Sequence, residues 1–141
     1  MSDEKRLAAN KRRCVLLADA HHEVLKGTRK LLESMFETVV MVTDQESLME
    51  TARLMSPELI VVDMSLPSQA RGNVVTRIVH EAPAIRIVVL SVDNDRNVIK
   101  QILASGAQAV VVKSSAGTDL IPAIEHALEG KTYVSPSVSL D

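Results

Sequence analysis

The 141-residue sequence predicts an α/β fold built on one doubly wound parallel sheet, and three observations lead there. Five short apolar runs rich in β-branched residues recur without polar alternation, as expected of strands covered on both faces. Segments with helical apolar spacing separate them, so strand and helix alternate. The length, with 46% apolar and 24% charged residues, suits a single domain with one sizeable core.

Strand one is read at 14–18, and the stripe Val24, Leu25, Thr28, Leu31, Leu32, Met35 and Phe36 follows it as helix one. Strand two, at 39–42, leads to Leu48, Ala52 and Met55, and Pro57 ends that helix. Strand three, at 59–62, precedes Val74, Val75, Ile78 and Val79, stopped by Pro83. Strand four covers 85–90, broken by Arg86, and its helix carries Val98, Ile99, Ile102 and Leu103 before Gly106. Strand five is Ala109–Val112, and the last stripe is Leu120, Ile121, Ile124, Ala127 and Leu128, closed by Gly130. Pro122 near the start of that helix either sits in its first turn or removes a backbone bond. Right-handed crossovers with helices on both faces give a flavodoxin-like (βα)5 sheet of strand order 2-1-3-4-5.

Residues 1–12 read as a flexible N-terminal extension, 13–133 as the folded domain and 134–141 as a tail or linker, since nothing periodic follows Tyr133. The basic cluster Lys11, Arg12 and Arg13 belongs to the solvated extension. Net charge of −2 gives no global pull toward nucleic acid or an anionic membrane, and one Phe, one Tyr and no Trp leave little for base stacking. Cys14 is the only cysteine, which excludes an internal disulfide, and no Cys/His spacing matches a zinc site. Without a signal-peptide pattern or a long apolar run, a cytoplasmic protein with no membrane partner is expected.

Ligands of an open α/β sheet collect at the carboxyl ends of its strands, near the reversal of strand order. Asp19 follows strand one, Asp63 ends strand three, Ser91 follows strand four and Lys113 follows strand five. Each has an ordinary reading alone, as cap, loop or surface residue. As a set they make chemical sense: hard oxygens for Mg²⁺, a carboxylate that can attack a phosphoryl group, and a hydroxyl and an ammonium for its oxygens.

Over about residues 13–133 the chain resembles the bacterial response regulator receiver domain. The resemblance rests on Leu16-Leu17-Ala18-Asp19-Ala20-His21, on Leu59-Ile60-Val61-Val62-Asp63-Met64-Ser65-Leu66-Pro67, on Val89-Leu90-Ser91, and on Gly106-Ala107-Gln108-Ala109-Val110-Val111-Val112-Lys113. It implies that Asp63 accepts a phosphoryl group from a sensor histidine kinase. Mg²⁺ would be held by Asp19, Asp63 and the backbone carbonyl of Ser65, with Ser91 and Lys113 receiving the phosphoryl oxygens. It also implies homodimer and output contacts through helix four, strand five and helix five. The run Gly130-Lys131-Thr132-Tyr133-Val134-Ser135-Pro136 looks like the exit of receivers that precede a LuxR-type helix-turn-helix; that motif is not read in this sequence, so direct DNA binding is not expected of it.

Several positions depart from the family pattern. Ala20 replaces the second acidic residue, and the neighbouring His21 and His22 are poor Mg²⁺ ligands, so weakened metal binding is expected. Val92 stands where Ala is usual and is expected to narrow access to the site, and Arg71 takes the usual Gly position with Gly72 one residue late. Val110 replaces the aromatic residue that changes rotamer on activation, so weak coupling to the outer surface is expected. A degenerate receiver acting as a phosphorylation-independent interaction or dimerisation module is the alternative.

Enzyme readings fare worse. A flavin or nucleotide site needs a phosphate loop after strand one, which 19–24 does not offer. Haloacid-dehalogenase phosphatases have Asp two residues after the nucleophile, where Ser65 stands. Low-molecular-weight tyrosine phosphatases need Arg six residues after a cysteine, and Ala20 is six after Cys14. No enzymatic activity is therefore expected.

Overall fold

Branched apolar residues fill the middle of every strand except the last, and they draw the chain into one six-stranded parallel sheet between two helical layers. The computed structural model describes residues 12–20, 22–66 and 73–138. Residues 1–11, His21, Pro67, Arg71, Gly72 and 139–141 lie outside the described residues, as do the side chains of His22, Val24 and Leu25. The elements are β1 (Arg12–Ala18), α1 (His22–Glu33), β2 (Phe36–Val42), α2 (Gln45–Met55), β3 (Leu59–Asp63), α3 (Val74–Glu81), β4 (Arg86–Ser91), α4 (Arg96–Ala104), β5 (Ala109–Val112), α5 (Ala116–Leu128) and β6 (Tyr133–Val134). Their order across the sheet is β2-β1-β3-β4-β5-β6, the expected order with one strand added.

Alternation along each strand sends neighbouring side chains to opposite faces. Leu16, Ala18, Ile60, Val62, Ile87, Val89 and Val110 meet α2, α3 and α4. Val15, Leu17, Leu59, Val61, Val88, Leu90 and Val111 meet α1 and α5. Both faces are apolar because both are covered, which is why the inner strands read as unbroken runs. Each fully buried Val, Leu or Ile stabilises by ~1.5–3 kcal/mol, so these two cores set the rigidity of the strand ends. Asp44, Asn73 and Asp95 start α2, α3 and α4 as N-caps, accepting from the backbone N–H of Ser47, Val75 and Asn97.

The structure corrects three expectations and decides a fourth. Phe36 is not the end of the first helical stripe: α1 stops at Glu33, and Phe36 opens β2, fully buried. β2 is an edge strand, half solvated, and its exposed Glu37 and Thr38 hid its first half from a search for unbroken apolar runs. β1 likewise starts at Arg12, inside the segment assigned to the extension, because Arg12 and Arg13 are strand residues with exposed side chains. Of the two placements open for Pro122 the second holds: it lies well inside α5, so the bond a backbone N–H would give there is missing, and its own carbonyl lies 2.7 Å from His126 Nδ1.

The third correction concerns the tail. β6 runs parallel to β5, Ser135 is fully buried, and Val138 packs on the core, so the folded unit continues to at least Val138. A two-residue strand has no period to read in a sequence. It also changes the expected partner face, since β6 rather than β5 is the outer strand there.

Gly106, after α4, has φ +118°, and a Cβ built on it would stand 2.7 Å from Val79 Cγ2. Both the backbone and the packing therefore require glycine. Gly106→Ala should cost about 1–3 kcal/mol in urea unfolding, from strain, with part of the loss recovered in the double variant with Val79→Ala. Strict additivity of the two substitutions would show that the contact is not the cause.

Candidate functional site

The strand order reverses at β1, which lies between β2 and β3, and this opens a crevice beyond the carboxyl ends of β1 and β3. Register pairs Ala18 with Val62, so the next residues, Asp19 and Asp63, stand side by side. Both are buried. β5 lies two strands from β3, and Lys113, in the 3-10 turn that follows it, reaches back across β4. Its Nζ lies 2.9 Å from Asp19 Oδ2 and 2.8 Å from Asp63 Oδ2. Three of the four strand-end residues picked out in the sequence thus meet at one ammonium.

Ser65 closes the turn after β3 onto the same carboxylate. Its backbone N–H donates to Asp63 Oδ1 at 3.0 Å and its hydroxyl to Oδ2 at 2.8 Å. Burial by itself would raise the Asp63 carboxyl, but the Lys113 ammonium and the two Ser65 donors outweigh it and hold the pKa below the ordinary value. For Lys113 burial pulls downward, and the hydrogen bonds and charges of Asp63 and Asp19 overcome it, so the ammonium is strengthened. The Asp63 carboxylate is therefore ionised at neutral pH.

Ser91 ends β4 and is buried, yet its hydroxyl belongs to its own loop: it donates to the Asp93 carbonyl at 2.9 Å and accepts from the Asp93 N–H at 3.1 Å. Val92 is 75% exposed, so its side chain stands in solvent and is not packed over the crevice as its size suggested. Val110 is fully buried among the residues that face α4. Gln45 was missed in the sequence, where a helix-start Gln looks like a surface residue. It is buried, and its Nε2 donates to the Leu66 carbonyl at 3.2 Å, tying the loop after Asp63 to α2.

Among the described residues no three His, Cys, Asp or Glu side chains gather as a metal cluster. The hard donors present are the Asp19 and Asp63 carboxylates with nearby backbone carbonyls, a set that fits a divalent cation completed by water. The Ala20 side chain offers no ligand atom. A groove of about 1000 Å³, lined by Met49, Glu50, Arg53, Pro57, His80 and Pro83, lies near the opposite, amino ends of β3 and β4. Among the described residues no helix is long and apolar enough to cross a membrane.

The family model described as the response regulator receiver domain matches residues 15–125. The chain belongs to this family. Similar proteins include the transcriptional regulatory protein DegU of Brevibacillus brevis, 27% identical over 128 residues, with 89% of this chain and 54% of that protein covered. Another is the transcriptional regulatory protein RcsB of Escherichia coli K12, 29% identical over 130 residues, covering 89% and 60%. This receiver domain therefore spans little more than half the length of those relatives. Among solved structures, the isolated receiver domain of RcsB from Salmonella enterica serovar Typhimurium, in the presence of phosphomimetic BeF3⁻, matches with a TM-score of 0.82. It is 27% identical and covers 91% of this chain and 96% of that one. The non-phosphorylated receiver domain of Escherichia coli RcsB matches at 0.80 with 26% identity, covering 89% and 99%.

Because the folded Asp63 pKa lies below the unfolded value of about 3.9, its contribution to stability is present at neutral pH and is lost as pH falls through the folded pKa. In Lys113→Met burial dominates, the carboxyl pKa rises, and the penalty grows as pH rises. The variant should be about 3–5 kcal/mol less stable than the parent receiver at pH 7, and the gap should narrow at pH 4. Urea unfolding at both values checks this; an equal gap would assign the loss to packing.

Proposed function

We propose that this receiver domain accepts a phosphoryl group on Asp63 from a sensor histidine kinase in two-component signalling. The observation that carries the reading is the ionised Asp63 carboxylate at the end of β3, held 2.8 Å from the Lys113 ammonium and beside Asp19. An Asp63 oxygen attacks the phosphorus of a phosphohistidine, the P–N bond breaks with its electron pair left on the imidazole, and an acyl phosphate forms. Lys113, already at the carboxylate, follows the charge onto a phosphoryl oxygen. Ser91 donates to it only after giving up its bond to the Asp93 carbonyl, which is the cost of recruiting that hydroxyl.

Asp19, Asp63 and the Ser65 carbonyl are the residues that would hold Mg²⁺, and a bound hard cation supplies neutralisation of the phosphoryl oxygens. With Ala20 in the second acidic position, water replaces one charged oxygen and affinity is lower. The domain signals rather than catalyses turnover, and we place it in the cytoplasm. A structure of two RcsB dimers bound to two parallel DNAs also matches this chain, with a TM-score of 0.82, 27% identity, and 91% of this chain and 66% of that one covered. By analogy we propose a homodimer through α4, β5 and α5, with β6 now at its border, and no direct DNA contact by the residues of this chain.

The second reading, a phosphorylation-independent interaction or dimerisation module, is favoured by one observation. Val110, fully buried with a short branched side chain, has no second position to move to, so an aromatic relay is missing.

Acetyl phosphate with Mg²⁺ separates the two. The phosphoacceptor reading expects a mass gain of about 80 Da for one phosphoryl group, mapped to Asp63 and absent in Asp63→Asn. Label elsewhere, or none, supports the second reading. Ala20→Asp should tighten Mg²⁺ in a direct titration; equal or weaker binding would mean that position 20 does not face the metal.

A further inference from the structure

The ladder between β5 and β6 ends in an unusual way. Tyr133 N–H donates to the Gln108 carbonyl and Ser135 N–H to the Val110 carbonyl, each at 3.1 Å. In a parallel pair the next bond would run from Val112 N–H to the backbone carbonyl of Ser135. That carbonyl instead receives Val138 N–H at 3.0 Å, because Pro136 turns the chain off the sheet. The Ser135 hydroxyl takes the place of its carbonyl and accepts Val112 N–H at 3.0 Å. Ser135 is fully buried and Val112 6% exposed, so water cannot easily serve that N–H if the hydroxyl is lost.

Val112 is the last strand residue before Lys113, whose side chain must span β4 to reach Asp19 and Asp63. The backbone from which the ammonium sets out is therefore held from outside by a residue beyond α5. We infer that Ser135 is a positioning residue for the Asp63 pocket: it fixes Val112, and so Lys113, and it links residues 133–138 to the state of that pocket. The inference rests on Asp63 being the phosphoacceptor. A shift of Lys113 toward a phosphoryl oxygen acts first on the Val112–Ser135 bond. The segment leaving α5 then has two states that differ at that bond, and no aromatic at position 110 is needed to tell them apart.

The test uses the ¹⁵N-labelled protein and three variants: Ser135→Ala, Ser135→Thr, and Val134→Ala, which loosens β6 packing but keeps the hydroxyl. Hydrogen exchange at the Val112 amide should be roughly tenfold faster or more in Ser135→Ala. The same variant should lose the shift of the Val138 amide on adding Mg²⁺ and beryllofluoride, and should label with acetyl phosphate several-fold more slowly. Ser135→Thr should restore all three, and Val134→Ala should label at the parent rate. Unchanged Val112 exchange in Ser135→Ala overturns the positioning role by itself, whether or not Asp63 is labelled. Parent-rate labelling with a retained Val138 shift in Ser135→Ala, or the same defect in Val134→Ala, overturns the link to the pocket. Absence of label in the parent protein overturns the phosphoacceptor reading and the link, while the exchange result still decides the Ser135 bond.

Discussion

Asp19 and Asp63 are buried side by side at the ends of adjacent strands, and the carboxyl end of this sheet depends on the Lys113 ammonium, 2.9 Å from one carboxylate and 2.8 Å from the other. Opposite unit charges about 4 Å apart attract by roughly 4 kcal/mol at an effective dielectric of 20, before the cost of burying them, so loss of the ammonium would remove a large favourable interaction from the Asp63 carboxylate. Lys113 supplies the charge from a third strand. In the proposed phosphoryl transfer the group that stabilises the free Asp63 carboxylate would also be the one to meet incoming phosphoryl oxygens. A phosphoryl group or a divalent cation entering the crevice must compete with, or recruit, that same ammonium.

The fold makes this geometry rigid. Asp19 and Lys113 each follow, and Asp63 ends, a strand whose apolar residues are buried on both faces, so the polar residues start from fixed points. The parts around them vary more in how they are held. Ser65 and Gln45 fix the loop after Asp63, whereas Ser91 is engaged with Asp93 and must be released to act. With Val110 locked in the core, whatever signal leaves the pocket has to use elements other than an aromatic side chain on β5. The Val112–Ser135 bond is the contact best placed for that, since it is one residue from Lys113.

Much of this was legible in the sequence, and what was not has physical causes. The inner strands were clear because burial on both faces leaves only apolar residues, and the site followed because parallel topology gathers successive strand ends. The edges were obscure for the same reason. Glu37 and Thr38 in β2, and Arg12 and Arg13 in β1, face water and look like loop. β6 is too short to show alternation, so Ser135 looked like a tail residue although its hydroxyl is a buried acceptor. Gln45 gave no signal because a side chain amide shows its partner only in three dimensions. The turn that binds the Ser91 hydroxyl was equally invisible, since Ser and Asp two residues apart occur in many loops.

We propose that the ammonium shared by Asp19 and Asp63 passes onto a phosphoryl group carried by Asp63. A crystal structure of the protein with Mg²⁺ and beryllofluoride tests it most directly. Beryllium should be bonded to an Asp63 carboxylate oxygen, with Lys113 Nζ within hydrogen-bond distance of a fluorine. Beryllofluoride on another carboxylate, or on Asp63 with Lys113 turned away to solvent, would contradict it.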